Sequence, residues 1–199
     1  MSSKHPYLAV GIFCSIDDPE PLTQILRETN YRDDLVFFVM VDTADDDRDD
    51  WHGFLSETYH WSSNFLETPS RLCSGAVHLL RSRDHLILSQ DMVSKERHGD
   101  AGNTDTIDRF FCTLADHFGE STIGVVLSGR TIGGAVGMQK IKSCHGLSLV
   151  QAPNSCRYFQ APRYIIKQQA FHTIFSPHEI AARIFNFEHS RTEELKKSV

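Results

Sequence analysis

Three stretches of this chain are apolar without alternation: Tyr7–Phe13 (YLAVGIF), Leu35–Val41 (LVFFVMV) and Ile123–Leu127 (IGVVL). A strand with one wet face alternates apolar and polar residues, whereas a strand covered on both faces does not. Such runs therefore predict a parallel sheet sandwiched between helices. Helical patterns separate them. Leu22, Ile25 and Leu26 share one face after Asp17–Asp18–Pro19. Thr106–Phe118 turns Ile107, Phe110, Phe111 and Leu114 inward and has Asp105 near its start. A helix over Val136–Ser143 and a closing helix over Ile180–Phe187 are also expected. Ala76–Leu80 and His85–Leu88 read as strands around a polar turn, Arg81–Asp84, and Leu147–Val150 as another strand. Ser89–Thr106 is polar and contains glycine, so it reads as a loop. The expected fold is α/β: a doubly wound, mostly parallel sheet flanked by helices, with a small β-hairpin.

No repeat or Pro/Gly-rich linker divides the chain. Residues 1–190 are expected to form one domain, and 191–199 a frayed, charged C-terminal tail. A net charge of -6 over 199 residues argues against nonspecific nucleic-acid binding, which needs a basic surface. No apolar run approaches the roughly 20 residues of a membrane helix, and the N-terminus lacks a signal-peptide core. The expectation is a cytoplasmic protein with no membrane insertion. Five cysteines (14, 73, 112, 144 and 156) are odd in number and widely spaced, which fits reduced thiols. The histidines form no HExxH or HxH pattern, and neither a metal nor a cofactor is expected. Asp42–Asp50 holds six aspartates without the spacing of a calcium loop, so a solvated loop and helix start is expected there. Trp51 and Trp61 are either core residues or anchors of a surface peculiar to this chain.

In a doubly wound sheet, ligands bind outside the carboxyl ends of the strands. That singles out Phe13–Ile16, Val41–Ala44 and Ser128–Gly134. The third is a glycine-rich turn leading into a helix. Ser128, Gly129, Arg130 and Gly134 are its candidate pocket residues. Its backbone offers N–H groups to an anion, and Arg130 offers a charge. An anion or small-molecule site is one reading, and a plain tight turn with an exposed arginine is the other. GxxxxGK[ST] is absent.

Ile123–Ile184 resembles the C-terminal half of the CheB-type chemotaxis receptor methylesterase domain. The resemblance rests on IGVVLSGRTIGGAVGMQKIKSCHG, LSLVQAPNSCRYFQAPRYII and FSPHEIAARI. Upstream, SGAVHLLRSRDHLIL is similar to that family's hairpin, TIDRFFCTLADHFG to a helix, and AVGIFCS to its first strand and nucleophile turn. The resemblance implies a fold that hydrolyses glutamyl methyl esters on chemoreceptors with a Ser-His-Asp triad. It places Phe13, Val41 and Gly133 at the three triad positions, with Ile132 before Gly133, so none keeps its catalytic residue. Arg130 and Ala161 stand where methionines are expected. The implied protein is a noncatalytic methylesterase-like domain that binds a chemoreceptor or another signalling protein. With no receiver domain ahead of it, it would be a stand-alone effector domain or a fragment.

Gly11 to Leu22 is longer than the family spacing, which leaves an alternative. The nucleophile would be displaced to Cys14 or Ser15, served by His85, His117, His145 or His172. A small buried residue at a strand end is the favoured reading of Cys14 itself.

Overall fold

A computed structural model describes residues 6–29, 32–42, 61–97 and 104–187. The strands are β1 (Leu8–Ser15), β2 (Leu35–Asp42), β3 (Ser62–Phe65), β4 (Ser70–Arg71), β5 (Ala76–Arg81), β6 (Asp84–Ser89), β7 (Met92–Arg97), β8 (Thr122–Val126), β9 (Leu147–Gln151) and β10 (Thr173–Phe175). The helices are α1 (Glu20–Glu28), α2 (Thr104–Phe118), α3 (Ala135–Ser143), α4 (Gln160–Lys167) and α5 (Pro177–Phe185). Seven strands form one sheet in the order β10-β9-β8-β1-β2-β5-β3. Every pairing in it is parallel.

The unalternating runs are explained by helices on both faces. Val10, Ile12, Phe37 and Val39 point to one face and meet Leu22, Ile25 and Leu26 of α1 and Ile180 and Ile184 of α5. Ala9, Phe13, Phe38 and Met40 point to the other and meet α2, α3 and α4. The helix stripes read from the sequence are the buried ones: Ile107, Phe110, Phe111 and Leu114 of α2 are all sealed from solvent. Each such side chain contributes about 1.5–3 kcal/mol of burial. Trp61 belongs to this core, with its ring edge-on to Phe37 at 5.0 Å and its Nε1 donating to the Leu26 carbonyl at 2.9 Å. Trp51, the aspartates after Asp42 and the 191–199 tail lie outside the described residues.

Two expectations need correction. Ala76–Leu80 and His85–Leu88 do not pair with each other. β5 lies inside the parallel sheet between β2 and β3, and β6 pairs antiparallel with β7 in a second sheet, β4-β7-β6. The hairpin is thus β6–β7, turned at Gln90 with φ 51. Ser89–Thr106 is not all loop, because Met92–Arg97 is β7. Its polar composition follows from covering one face only, with Val93 buried and Met92 exposed.

Candidate functional site at the carboxyl edge of the sheet

All seven strands point the same way, so their carboxyl ends share one edge. The connection after β1 runs outward to β2, while β8 returns to pair on the other side of β1. A crevice opens at such a reversal. Three chain segments meet there: the end of β1, the end of β2 and the turn after β8.

β1 runs on through Cys14 and ends at Ser15, which stands opposite Asp42 in the ladder with β2. Both follow the alternation that turns Phe13 and Met40 toward the α2–α3–α4 layer. Ser15 is buried, its N–H donates to the Ser128 carbonyl at 2.8 Å, and its Oγ accepts from the Asp17 N–H at 3.2 Å. The Asp42 carboxylate accepts from the Thr131 N–H at 3.2 Å and the Thr131 hydroxyl at 3.0 Å.

The turn after β8 is held by side chains from other elements. Ser128 N–H donates to Gln151 Oε1 at 2.9 Å, and Ser128 Oγ accepts from the Tyr158 N–H at 2.9 Å. Gly129 exchanges backbone bonds with Tyr158 and Ala161. Arg130 donates to Asp17 Oδ2 at 2.8 Å and lies 3.9 Å from the Tyr158 ring centroid. Arg157 donates through its N–H to Asp18 Oδ2 at 3.1 Å and through its guanidinium to the Asp17 carbonyl at 3.0 Å. Gly134 caps α3 with φ 84, a left-handed conformation that disfavours a side chain. The N–H of Gly137 in the first turn of α3 is already bound to Asp108 Oδ1 at 3.0 Å.

These contacts bear on each residue singled out in the sequence. Phe13 and Val41 are both buried but face opposite layers of the sandwich, so they do not share a pocket. The Phe13 ring packs instead beneath Gly129 and beside Ala161. Gly133 is buried in the turn, behind Ile132, which is 49% exposed. Cys14 faces the α1–α5 layer and is sealed from solvent. Burial, and then the charges of Asp42 and Asp18, push its thiol far above the ordinary range. At neutral pH it carries almost no thiolate, the form that attacks.

Three of the four histidines named as possible bases are not brought to Ser15. His117 lies just before β8, His145 just before β9 and His172 just before β10. Residues that precede parallel strands lie at the opposite edge of the sheet, about 16 Å away along a five-residue strand. His172 is engaged there, its Nδ1 accepting from the Ser148 N–H at 3.0 Å. His85 sits in β6, outside the parallel sheet.

The sequence reading does not single out Asp17, Arg157, Tyr158 and Gln151, while Asp42 and Thr131 fall inside the strand-end segments Val41–Ala44 and Ser128–Gly134 without a named role. By composition Asp42 belongs to the aspartate-rich, solvated stretch Asp42–Asp50. Only the pairing of β1 with β2 reveals that it faces Ser15.

Residues 10–184 match the family model described as CheB methylesterase. This chain belongs to the CheB methylesterase family. Among CheB-type relatives, a protein of Leptospira interrogans named putative protein-glutamate methylesterase/protein-glutamine glutaminase is 26% identical over 147 residues, covering 73% of this chain and 76% of that protein. A protein-glutamate methylesterase/protein-glutamine glutaminase of Thiobacillus denitrificans is 29% identical, over 61% of this chain and 35% of that one. The methylesterase FrzG of Myxococcus xanthus is 25% identical over 92% of this chain and 55% of its own length. The crystal structure of the Thermotoga maritima CheB methylesterase catalytic domain superposes with a TM-score of 0.79 at 17% identity, over 91% of this chain and 98% of that one. The fold is therefore the CheB catalytic-domain fold. Among the described residues of this CheB-family chain, no helix is long and apolar enough to cross a membrane.

Proposed function

We propose that this CheB-family domain has lost ester hydrolysis and acts by binding a protein of chemosensory signalling, a chemoreceptor or another signalling protein. One observation carries the reading. The residue facing Ser15 across the strand ends is Asp42, and its carboxylate is already committed to Thr131. A serine becomes a nucleophile when an adjacent base takes its proton. Asp42 accepts from Thr131 at both carboxylate oxygens, and His117, His145 and His172 belong to the far edge. Gly133, the position the family pattern gives to the orienting acid, has no side chain to offer.

The reading is tested by incubating the purified chain with methylated chemoreceptor and with a small ester, beside Ser15→Ala and C14A/S15A variants. The expected rates are those of the buffer blank for all three. Wild-type turnover that vanishes in Ser15→Ala would overturn the proposal. In a second arm, a purified chemoreceptor cytoplasmic fragment is passed over the immobilised chain, and retention is expected.

A second reading, Ser15 as a working displaced nucleophile, is favoured by its place at the end of β1 in the crevice. The same assay decides it. An anion site at residues 128–134 is opposed by occupancy: Asp17 takes Arg130, Asp42 takes the Thr131 N–H, and Asp108 takes the Gly137 N–H.

A further inference from the structure

From Ser121 to His178 the chain has six lysines and arginines (Arg130, Lys140, Lys142, Arg157, Arg163 and Lys167) and no aspartate or glutamate. The whole chain carries -6, so the remaining residues carry -12. The acid-free stretch supplies one side of the domain: β8, α3, β9, α4 and β10.

Five of its six cations, Lys140 being the exception, follow one another through contacts and neighbouring positions. Arg130 and Arg157 flank the Tyr158 ring at the rim of the crevice, at 3.9 and 5.4 Å from its centroid. The next residue, Phe159, is 41% exposed, and the Arg163 guanidinium lies over its ring at 4.2 Å. Lys167 follows Arg163 by four residues, so the two are neighbours on the exposed side of α4, opposite buried Ala161 and Ile165. Beyond the end of α4, Lys142 reaches across from α3 to the carbonyls of Gln169 and Phe171. At the crevice end, Asp17 pairs with the Arg130 guanidinium, while Arg157 is held through its backbone N–H by Asp18 and through its guanidinium by the Asp17 carbonyl. Along α4, neither Arg163 nor Lys167 has an ion pair with a described acid. The stacked Arg163 guanidinium is oriented by Phe159 and keeps its N–H edge for a carboxylate.

We propose that this strip, Phe159–Arg163–Lys167 with Arg157 and Arg130 at its crevice end, docks an acidic amphipathic segment of a partner protein. Carboxylates of the partner meet Arg163 and Lys167, and an apolar side chain meets Phe159. The inference rests on the reading that the domain works by binding a protein, and adds where and with what chemistry. A peptide segment fits better than a nucleic acid. The -12 carried elsewhere repels a long polyanion, whereas a short segment presents its few carboxylates to the strip alone.

The test uses the full chain and fluorescence anisotropy with three probes. The first is a helical peptide of about 20 residues, with glutamates one turn apart and leucines on one side. The second has glutamine for every glutamate, and the third is a single-stranded oligonucleotide of matched length. We expect the glutamate peptide to bind about tenfold or more tightly than the glutamine peptide, and to weaken as salt rises from roughly 50 to 300 mM. R163E/K167E is expected to weaken it by about tenfold. R71E/R109E makes the same charge change at exposed sites on β4 and α2, and is expected to alter affinity less than about threefold. Thermal melts verify that both variants are folded. Equal losses in the two variants, no loss in R163E/K167E, no binding by the wild type, or tighter binding of the oligonucleotide would each overturn the proposal. The chemoreceptor fragment separates the two readings. If it is retained equally by wild type and R163E/K167E, the strip fails and the binding reading stands. If the wild type hydrolyses esters through Ser15, the loss-of-function reading fails and the peptide data alone judge the strip.

Discussion

Gly137 of α3 lies so close to Asp108 of α2 that a Cβ placed on it would stand 2.6 Å from the Asp108 carbonyl oxygen and 2.5 Å from the Phe111 Cβ. The same pair is tied by the Gly137 N–H donating to Asp108 Oδ1 at 3.0 Å. The two helices therefore touch backbone to backbone just behind the turn that closes the crevice.

Gly137→Ala is the direct check. In an exposed helix interior this change stabilises by about 0.5–1 kcal/mol. Here the methyl meets backbone that does not yield as a side-chain tip does, so a net loss of about 2 kcal/mol is expected, with Tm lower by roughly 4–8 °C. An unchanged or raised Tm in a calorimetric scan contradicts the packing described.

His78 sets an acid limit on stability. It is buried on β5, stacked on Phe38 with ring centroids 5.4 Å apart, and neither ring nitrogen has a hydrogen-bond partner. Burial lowers its pKa from 6.5 to about 4. The folded chain keeps His78 neutral, while the unfolded chain takes up a proton below pH 6.5. The contribution is therefore intact above about pH 6.5, falls as pH drops toward 4, and levels off below that. Over that window it amounts to roughly 3 kcal/mol. Denaturant titrations at pH 7 and 4.5 should show a smaller pH difference in His78→Leu than in the wild type. Parallel losses in the two proteins would remove His78 from the account.

Cys14 should be chemically silent in the folded chain. Cys73 is exposed and Cys14 fully buried. With iodoacetamide at pH 7.5, peptide mapping is expected to find Cys73 modified first and Cys14 untouched until denaturant is added. Labelling of Cys14 at the Cys73 rate would return it to the list of nucleophiles.

Ser176 starts α5 with a reciprocal cap. Its Oγ accepts from the Glu179 N–H at 3.4 Å, while the Glu179 carboxylate accepts from the Ser176 N–H at 2.8 Å. Ser176→Ala is expected to destabilise by about 1 kcal/mol, and Ser176→Gly by only a few tenths. Equal effects of the two variants in urea titrations would mean that the cap contributes little.

The parts of the fold legible in the sequence were those whose physics is local. β1, β2 and β8 announce themselves because both faces are covered, and α2 because its apolar stripe runs 15 residues. β7 is hidden because Val93 is buried beside Ser94, Lys95 and Glu96, which are not, and that pattern mimics a loop. α4 is eight residues long with Pro162 in its first turn, too short for a clear period. β10 has three residues, none of them fully buried, and is held by its pairing with β9. The candidate site was less legible still. Ser15 could be named from its strand, but its partner Asp42 depends on the β1–β2 register, a non-local property. The placement of three histidines is legible, since His117, His145 and His172 each precede a strand of a parallel sheet and so belong to its other edge.

The central place of β1 has a consequence for synthesis. One edge of β1 pairs with β2, about 27 residues later, and the other with β8, where Ala9 meets Thr122. A chain leaving the ribosome therefore leaves one edge of YLAVGIF unpaired while about 109 further residues are made, from Phe13 to Thr122, and one edge of LVFFVMV unpaired until β5 follows. Such unpaired apolar edges associate with one another when they wait. Slowed elongation between residues 42 and 122 should lower the soluble yield of this protein more than slowed elongation after β8.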